Sequence, residues 1–141
     1  MVQLLAAFLL ASVPSGTPNR VVIIPAPNAP KLLKQCSRPS PSAGSSWFAP
    51  TPAQVDALER AVVARNPRFG PLPSLRRMWR VEAVGIVRGG RRFVYGNFAP
   101  ASQPPVPAGV PTIVCDGGDL FFGAEIDAAS GRLTHFASNG R

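Results

Sequence analysis

Residues 78–98, MWRVEAVGIVRGGRRFVYGNF, constrain the fold more than any other stretch. Two runs rich in β-branched, aromatic and small residues flank Gly89-Gly90. A two-residue Gly-Gly link needs positive φ, which glycine adopts without steric cost, and predicts a tight hairpin. Side chains alternate across a strand, so the turn sets both register and faces. Arg88 then pairs with Arg91, Ile86 with Phe93, Val84 with Tyr95 and Glu82 with Asn97. The opposite face carries Trp79, Val81, Ala83, Gly85, Val87, Val94, Gly96 and Phe98. It is small at its centre and bulky at its ends, which suits a helix lying across it.

The helix to fill that face begins at Thr51. Thr51-Pro52-Ala53-Gln54 has the form of a capping box, with Pro at the first helical position. Val55, Leu58, Ala61 and Val62 recur at helical spacing, and Asn66-Pro67 stops the run. Trp47 and Phe48 stand ahead of it and can cover its first turn. Residues 69–74 read as a Pro/Gly connector, and 99–111 as a Pro-rich exposed crossing. Residues 112–115 read as a short third strand. A second hairpin follows: strands over 120–126 and 132–137 joined by Asp127-Ala128-Ala129-Ser130-Gly131, with Asp to open the turn and Gly to accept positive φ.

The N-terminal part is different in kind. Residues 2–13 are almost wholly apolar, too short to span a bilayer, and end at Pro14; residues 1–15 read as a secretory signal. Residues 16–50 carry seven prolines and a Ser/Gly-rich run, a composition that predicts a largely irregular leader. Within it, residues 21–24 are either an edge strand or unstructured chain. An exported chain meets an oxidising compartment, so Cys36 and Cys115, 79 positions apart, are expected to form one disulfide that pins the leader to the sheet. The expected location is the periplasm or the exterior, with no transmembrane segment after signal removal.

Catalytic signatures are missing. Cys115 and His135 lie on segments that can be neighbours, but a disulfide removes the nucleophile. Asp116, Asp119 and Asp127 do not match a calcium loop: Gly131 stands fifth from Asp127 and no acid follows. One His and two Cys cannot close a zinc site. No phosphate-binding glycine loop or serine elbow occurs. The expectation is no enzyme, no metal and no cofactor.

Charge offers one further candidate. Fifteen Lys and Arg against seven acids leave a net charge of +8. Arg76, Arg77, Arg80, Arg88, Arg91 and Arg92 cluster in sequence, with Trp79, Phe93 and Tyr95 among them. Arg interleaved with aromatics suits stacking on single-stranded nucleic acid, but export argues against that partner. What remains is a surface for an anionic ligand or a protein partner.

One helix followed by an antiparallel meander resembles the cystatin-like arrangement, on the stripe at 51–65 and the strands at 78–87, 91–98, 112–115, 120–126 and 132–137. The inhibitory motifs of cystatins are not recognisable, so only the architecture is implied. The run CDGGDLFFGAEIDAASGRLTHFASNG also resembles that of small exported bacterial proteins, which implies location rather than activity. The expected fold is α+β: one helix on an antiparallel sheet of four to five strands over 51–138. The expected function is an exported, non-catalytic binding protein for an envelope component or protein partner. The alternative is an inhibitor or immunity-type partner of a secreted enzyme, presenting Gly89-Gly90 or Gly117-Gly118.

Overall fold

The structure, a computed structural model, describes residues 19–104 and 106–140. The expected export signal at 1–15 lies outside them. The chain order is β1 (Val21–Ile23), α1 (Ala29–Leu32), β2 (Ser46–Phe48), α2 (Pro52–Arg65), α3 (Leu72–Met78), β3 (Trp79–Arg88), β4 (Arg91–Pro100), β5 (Phe122–Asp127) and β6 (Leu133–Ser138), with short 3-10 turns between. The fold is α+β, with three helices on a six-stranded, mostly antiparallel sheet ordered β1-β3-β4-β5-β6. β2 joins the same side of β3 as β1.

The β3–β4 hairpin has the register read from its turn. Arg88 faces Arg91, Ile86 faces Phe93, Val84 faces Tyr95 and Glu82 faces Asn97. Gly89 and Gly90 have φ of 58° and 72°. The second hairpin also forms: Asp127 Oδ1 accepts from the amides of Ala129 and Ser130, and Gly131 has φ 71°.

α2 lies on the face made for it. Thr51 and Gln54 complete a reciprocal capping box. Val55, Leu58 and Val62 are buried among Trp79, Val81, Ala83, Val94, Phe98, Phe122, Ala124 and Ile126. The small centre of that face is a spatial requirement: a Cβ on Gly96 would sit 2.7 Å from Leu58 Cδ2 and 2.8 Å from Val81 Cγ2. Phe48 takes the equivalent place over Gly85, in van der Waals conflict with any added Cβ. Trp47 does not join it. Strand alternation turns Trp47 to the other face, against Ile86.

Three expectations need correction. The sheet has six strands rather than four or five, because the leader supplies two of them. Most of the described leader lies outside helix and strand, yet it is packed on the sheet: β1 pairs parallel to β3 at Val81–Ala83, and β2 pairs antiparallel at Gly85–Val87. Between them the chain crosses the second face of the sheet, burying Ile24, Ala29 and Leu32 against Val84, Ile86, Phe93 and Tyr95. The leader's Ile24, Ala29 and Leu32 are buried there even though its composition is rich in proline and serine. Residues 112–115 form no strand; Glu82 and Asn97 hold this segment across the second face by side-chain bonds instead of a ladder. Residues 72–78 form the helix α3 rather than connector and strand, with Leu75 buried beneath α2 and β3.

Cys36 and Cys115 are joined, with Cα atoms 5.3 Å apart. The bond links the leader to the 101–120 crossing, so the two layers over the second face are stapled to each other. In the chain-entropy model, closing a loop of this length stabilises by about 4 kcal/mol.

Two outcomes check this architecture. Leu32→Ala is expected to cost about 2–5 kcal/mol, as for a fully buried leucine, with a lowered urea midpoint; a leader not packed on the sheet would leave it neutral. Cys115→Ser is expected to lower the same midpoint by up to about 4 kcal/mol.

Candidate binding site

The arginine cluster read from the sequence does not assemble into one surface. Arg76 leaves α3 to bind Glu59 and Asp56 on α2. Arg77 is exposed and donates to Ser74 Oγ at 3.3 Å. Arg80 points to the opposite face and donates to the carbonyls of Gln103 and Pro104 and to Thr112 Oγ1. Arg88 grips Glu125 with two bonds, at 2.8 and 3.1 Å, and also reaches the carbonyl of Ser42. Arg91 pairs with Asp127, and Arg92 stacks 3.8 Å above the Phe48 ring. Tyr95 is fully buried in the second-face core, so it cannot present itself to a ligand. Alternation along two strands scatters neighbours in sequence over both faces.

The structure assembles a different group. On the second face Glu82 is buried; it accepts from the Thr112 amide and hydroxyl and from Asn97 Nδ2. Asn97 Oδ1 accepts from the buried Arg38, whose terminal nitrogens also donate to Asn139 Oδ1 at 2.6 Å and to Tyr95 Oη, while its Nε has no partner among the described residues. The Asn97 amide thus stands between a buried cation and a buried carboxylate and bonds to both. Asn139 Nδ2 in turn donates to the carbonyls of Val114 and Asp116, both at 2.7 Å. This network clamps the leader, the crossing and the C-terminal strand onto the sheet. Its signal was present in the sequence: Glu82 and Asn97 face each other in the hairpin register, two polar groups in the middle of apolar strands.

Beside this network lies an exposed apolar surface. Ile23, Val106 and Val110 are 37%, 37% and 45% exposed. They border a cleft of about 330 Å³ lined also by Asn19, Val22, Arg80 and Glu82. A second cleft of about 370 Å³ lies past β1, between Val21, Ile23, Pro50, Val55 and the Arg20–Glu59–Arg76 ion pairs. Sequence reading missed these residues because the Pro-rich crossing reads as spacer; only its contact with β1 gives Val106 and Val110 a shared purpose.

The residues once considered for chemistry are otherwise employed. Cys115 is in the disulfide. His135 lies opposite Glu125, with Nε2 3.1 Å from the Pro39 carbonyl oxygen. Asp119 pairs with Arg68, and Asp127 caps its own turn. Among the described residues, no group of three His, Cys, Asp or Glu is placed to hold a metal, and no helix is long and apolar enough to cross a membrane. No family model matches the chain, and no curated protein or solved structure does.

Asp127 supplies a measurable signature. The Ser130 amide, then the Arg91 guanidinium, hold its carboxyl at about 2, below the ordinary 3.8. A depressed carboxyl stabilises the fold above its unfolded pKa and loses that contribution as pH falls through the folded one. Unfolding stability is therefore expected to decline between pH 3.8 and about 2. Asp127→Asn is expected to be less stable at neutral pH and to show a shallower acid limb in urea titrations across that window.

Proposed function

We propose that this chain is a non-catalytic binding protein acting outside the cytoplasm, with its contact surface at the β1 edge and the two clefts beside it. The observation that carries this reading is the convergence of Ile23, Val106 and Val110, exposed apolar side chains from two distant segments, around one cleft. Exposed apolar groups brought together in this way suit a partner better than they suit water. The Cys36–Cys115 bond is compatible with an oxidising compartment. The sheet's second face is covered by the leader and the crossing. The partner surface therefore moves to the edge. α2 laid across β3, β4 and β5 supports the cystatin-like reading of the fold, without inhibition.

The inhibitor reading is favoured by one observation. Nothing stands within 4 Å of a Cβ built on Gly89 or Gly90, so that turn protrudes. The Gly117-Gly118 turn is instead tied to the C-terminus, with the Gly118 amide donating to Gly140 O at 3.0 Å.

Site-directed photocross-linking separates the two. A cross-linker at Val110 is expected to capture one partner from an envelope extract, and Val106→Asp/Val110→Asp to abolish capture while Gly89→Asn leaves it intact. Capture lost on Gly89→Asn alone favours the inhibitor reading. The ion pairs at the clefts are internal, so capture is expected to survive a roughly tenfold rise in salt; a steep loss would point to a polyanion instead.

A further inference from the structure

β1 is the last strand on its side of the sheet, and its pairing leaves one set of backbone groups outward. The Val81 amide donates to Arg20 O at 2.8 Å, and the Ile24 amide donates to Ala83 O at 2.9 Å. In a parallel ladder alternate residues of one strand make the bonds to its neighbour. Val22 therefore shares the β3 side with Arg20 and Ile24. The N–H and C=O of Val21 and Ile23 point away, and no described strand lies beyond them. An open edge of this kind is a template for another strand.

The two clefts flank that edge on opposite faces of the sheet. One has Val22, Arg80 and Glu82 from the second face, with the crossing at 106–110 as its far wall. The other has Val55 and Glu59 from α2 and lies on the helix face. Side chains of a strand laid along β1 would alternate between the faces, one parity entering each cleft. A cleft on only one side would suit a small apolar ligand. A cleft on each side of an open ladder suits a chain.

Charge narrows the occupant. In the helix-face cleft Arg20 and Arg76 are both bonded to Glu59, and Arg76 also to Asp56. In the other, Arg80 is spent on the carbonyls of Gln103 and Pro104, and Glu82 on Asn97 and Thr112. Within a chain of net charge +8, this slot is internally neutral. A charged side chain entering it would lose water and find no free counter-charge.

We propose that β1 takes an extended segment of a partner protein as an added strand, with uncharged, apolar side chains alternating into the two clefts. This rests on the binding-protein reading and specifies its mode. Backbone bonds to Val21 and Ile23 set the register, and the clefts set the sequence preference.

The test uses the full chain and acetylated, amidated heptapeptides alternating serine with valine, leucine or phenylalanine. Amide exchange and chemical shifts of Val21 and Ile23 are followed by NMR. At least one peptide is expected to bind and protect both amides. N-methylation of its ladder-facing residues is expected to weaken binding at least about tenfold, because it removes the donors. Ile23→Pro removes an outward donor and leaves the Val22 and Ile24 bonds to β3 in place, as an edge strand tolerates. It too is expected to lose the peptide. Equal binding of the N-methylated peptide overturns strand addition, even if Ile23→Pro fails to fold. Failure of every alternating peptide overturns it as well. Amides of Val21 and Ile23 already protected without peptide also overturn it, the edge then being filled by residues 1–18 in a monomer or by a second copy in a dimer. If Val106→Asp/Val110→Asp abolishes partner capture while Ile23→Pro does not, the binding reading stands and strand addition falls. If neither position yields capture, both fall.

Discussion

The ten-pair ladder between β3 and β4 is the constraint from which both faces of the molecule follow. Its register is set by two glycines at the turn, and a slip of one residue would exchange the faces. On one side it lines up Ala83, Gly85 and Gly96, giving α2 and Phe48 room to approach the backbone. On the other it sets Glu82 against Asn97, and these two side chains hold the 101–120 crossing and, through Arg38, the leader. A helix layer and an irregular layer thus depend on one turn.

The irregular layer is held by different means from the helix layer. α2 is retained by apolar burial, a non-directional force that tolerates exchange of one aliphatic for another. The leader and crossing have few apolar groups and many prolines, which cannot donate to a ladder. They are fastened at discrete points: a disulfide, the Arg38–Asn97–Glu82 relay, Asn139 on Val114 and Asp116, and Arg88 on Ser42 and Glu125. The polar fastenings pair groups that would be costly to bury alone. The arginines that suggested a polyanion surface serve largely in this way. Five of the seven acids are tied to Arg20, Arg60, Arg68, Arg76, Arg88 and Arg91, so much of the positive charge is structural rather than offered to a ligand.

Legibility follows the range of the interactions. The capping box at Thr51, the Gly-Gly turn and the Asp127–Gly131 turn are local, and all three form. β1 was not decided by its own sequence: residues 21–24 favour extended chain, but whether they pair depends on β3 having a free edge beside Val81–Ala83. The same is true of residues 112–115, whose apolar run suggested a strand. Glu82 and Asn97 were legible as facing each other; that they anchor Thr112, fifteen positions beyond Asn97, was not. α3 lacked a helical apolar stripe of usual length; Leu75 is buried and Leu72 packs against the same core.

What the sequence determined by itself is the alternation of the central hairpin and the start and stop of the long helix. These are matters of dihedral preference and spacing, which neighbours within a few residues settle. Tertiary structure alone decided that the leader returns twice to the same side of β3, that the arginines disperse, and that Ile23, Val106 and Val110 meet beside an open strand edge. Those outcomes depend on which backbone groups are left unpaired once the sheet has closed around its core, a quantity no local window contains.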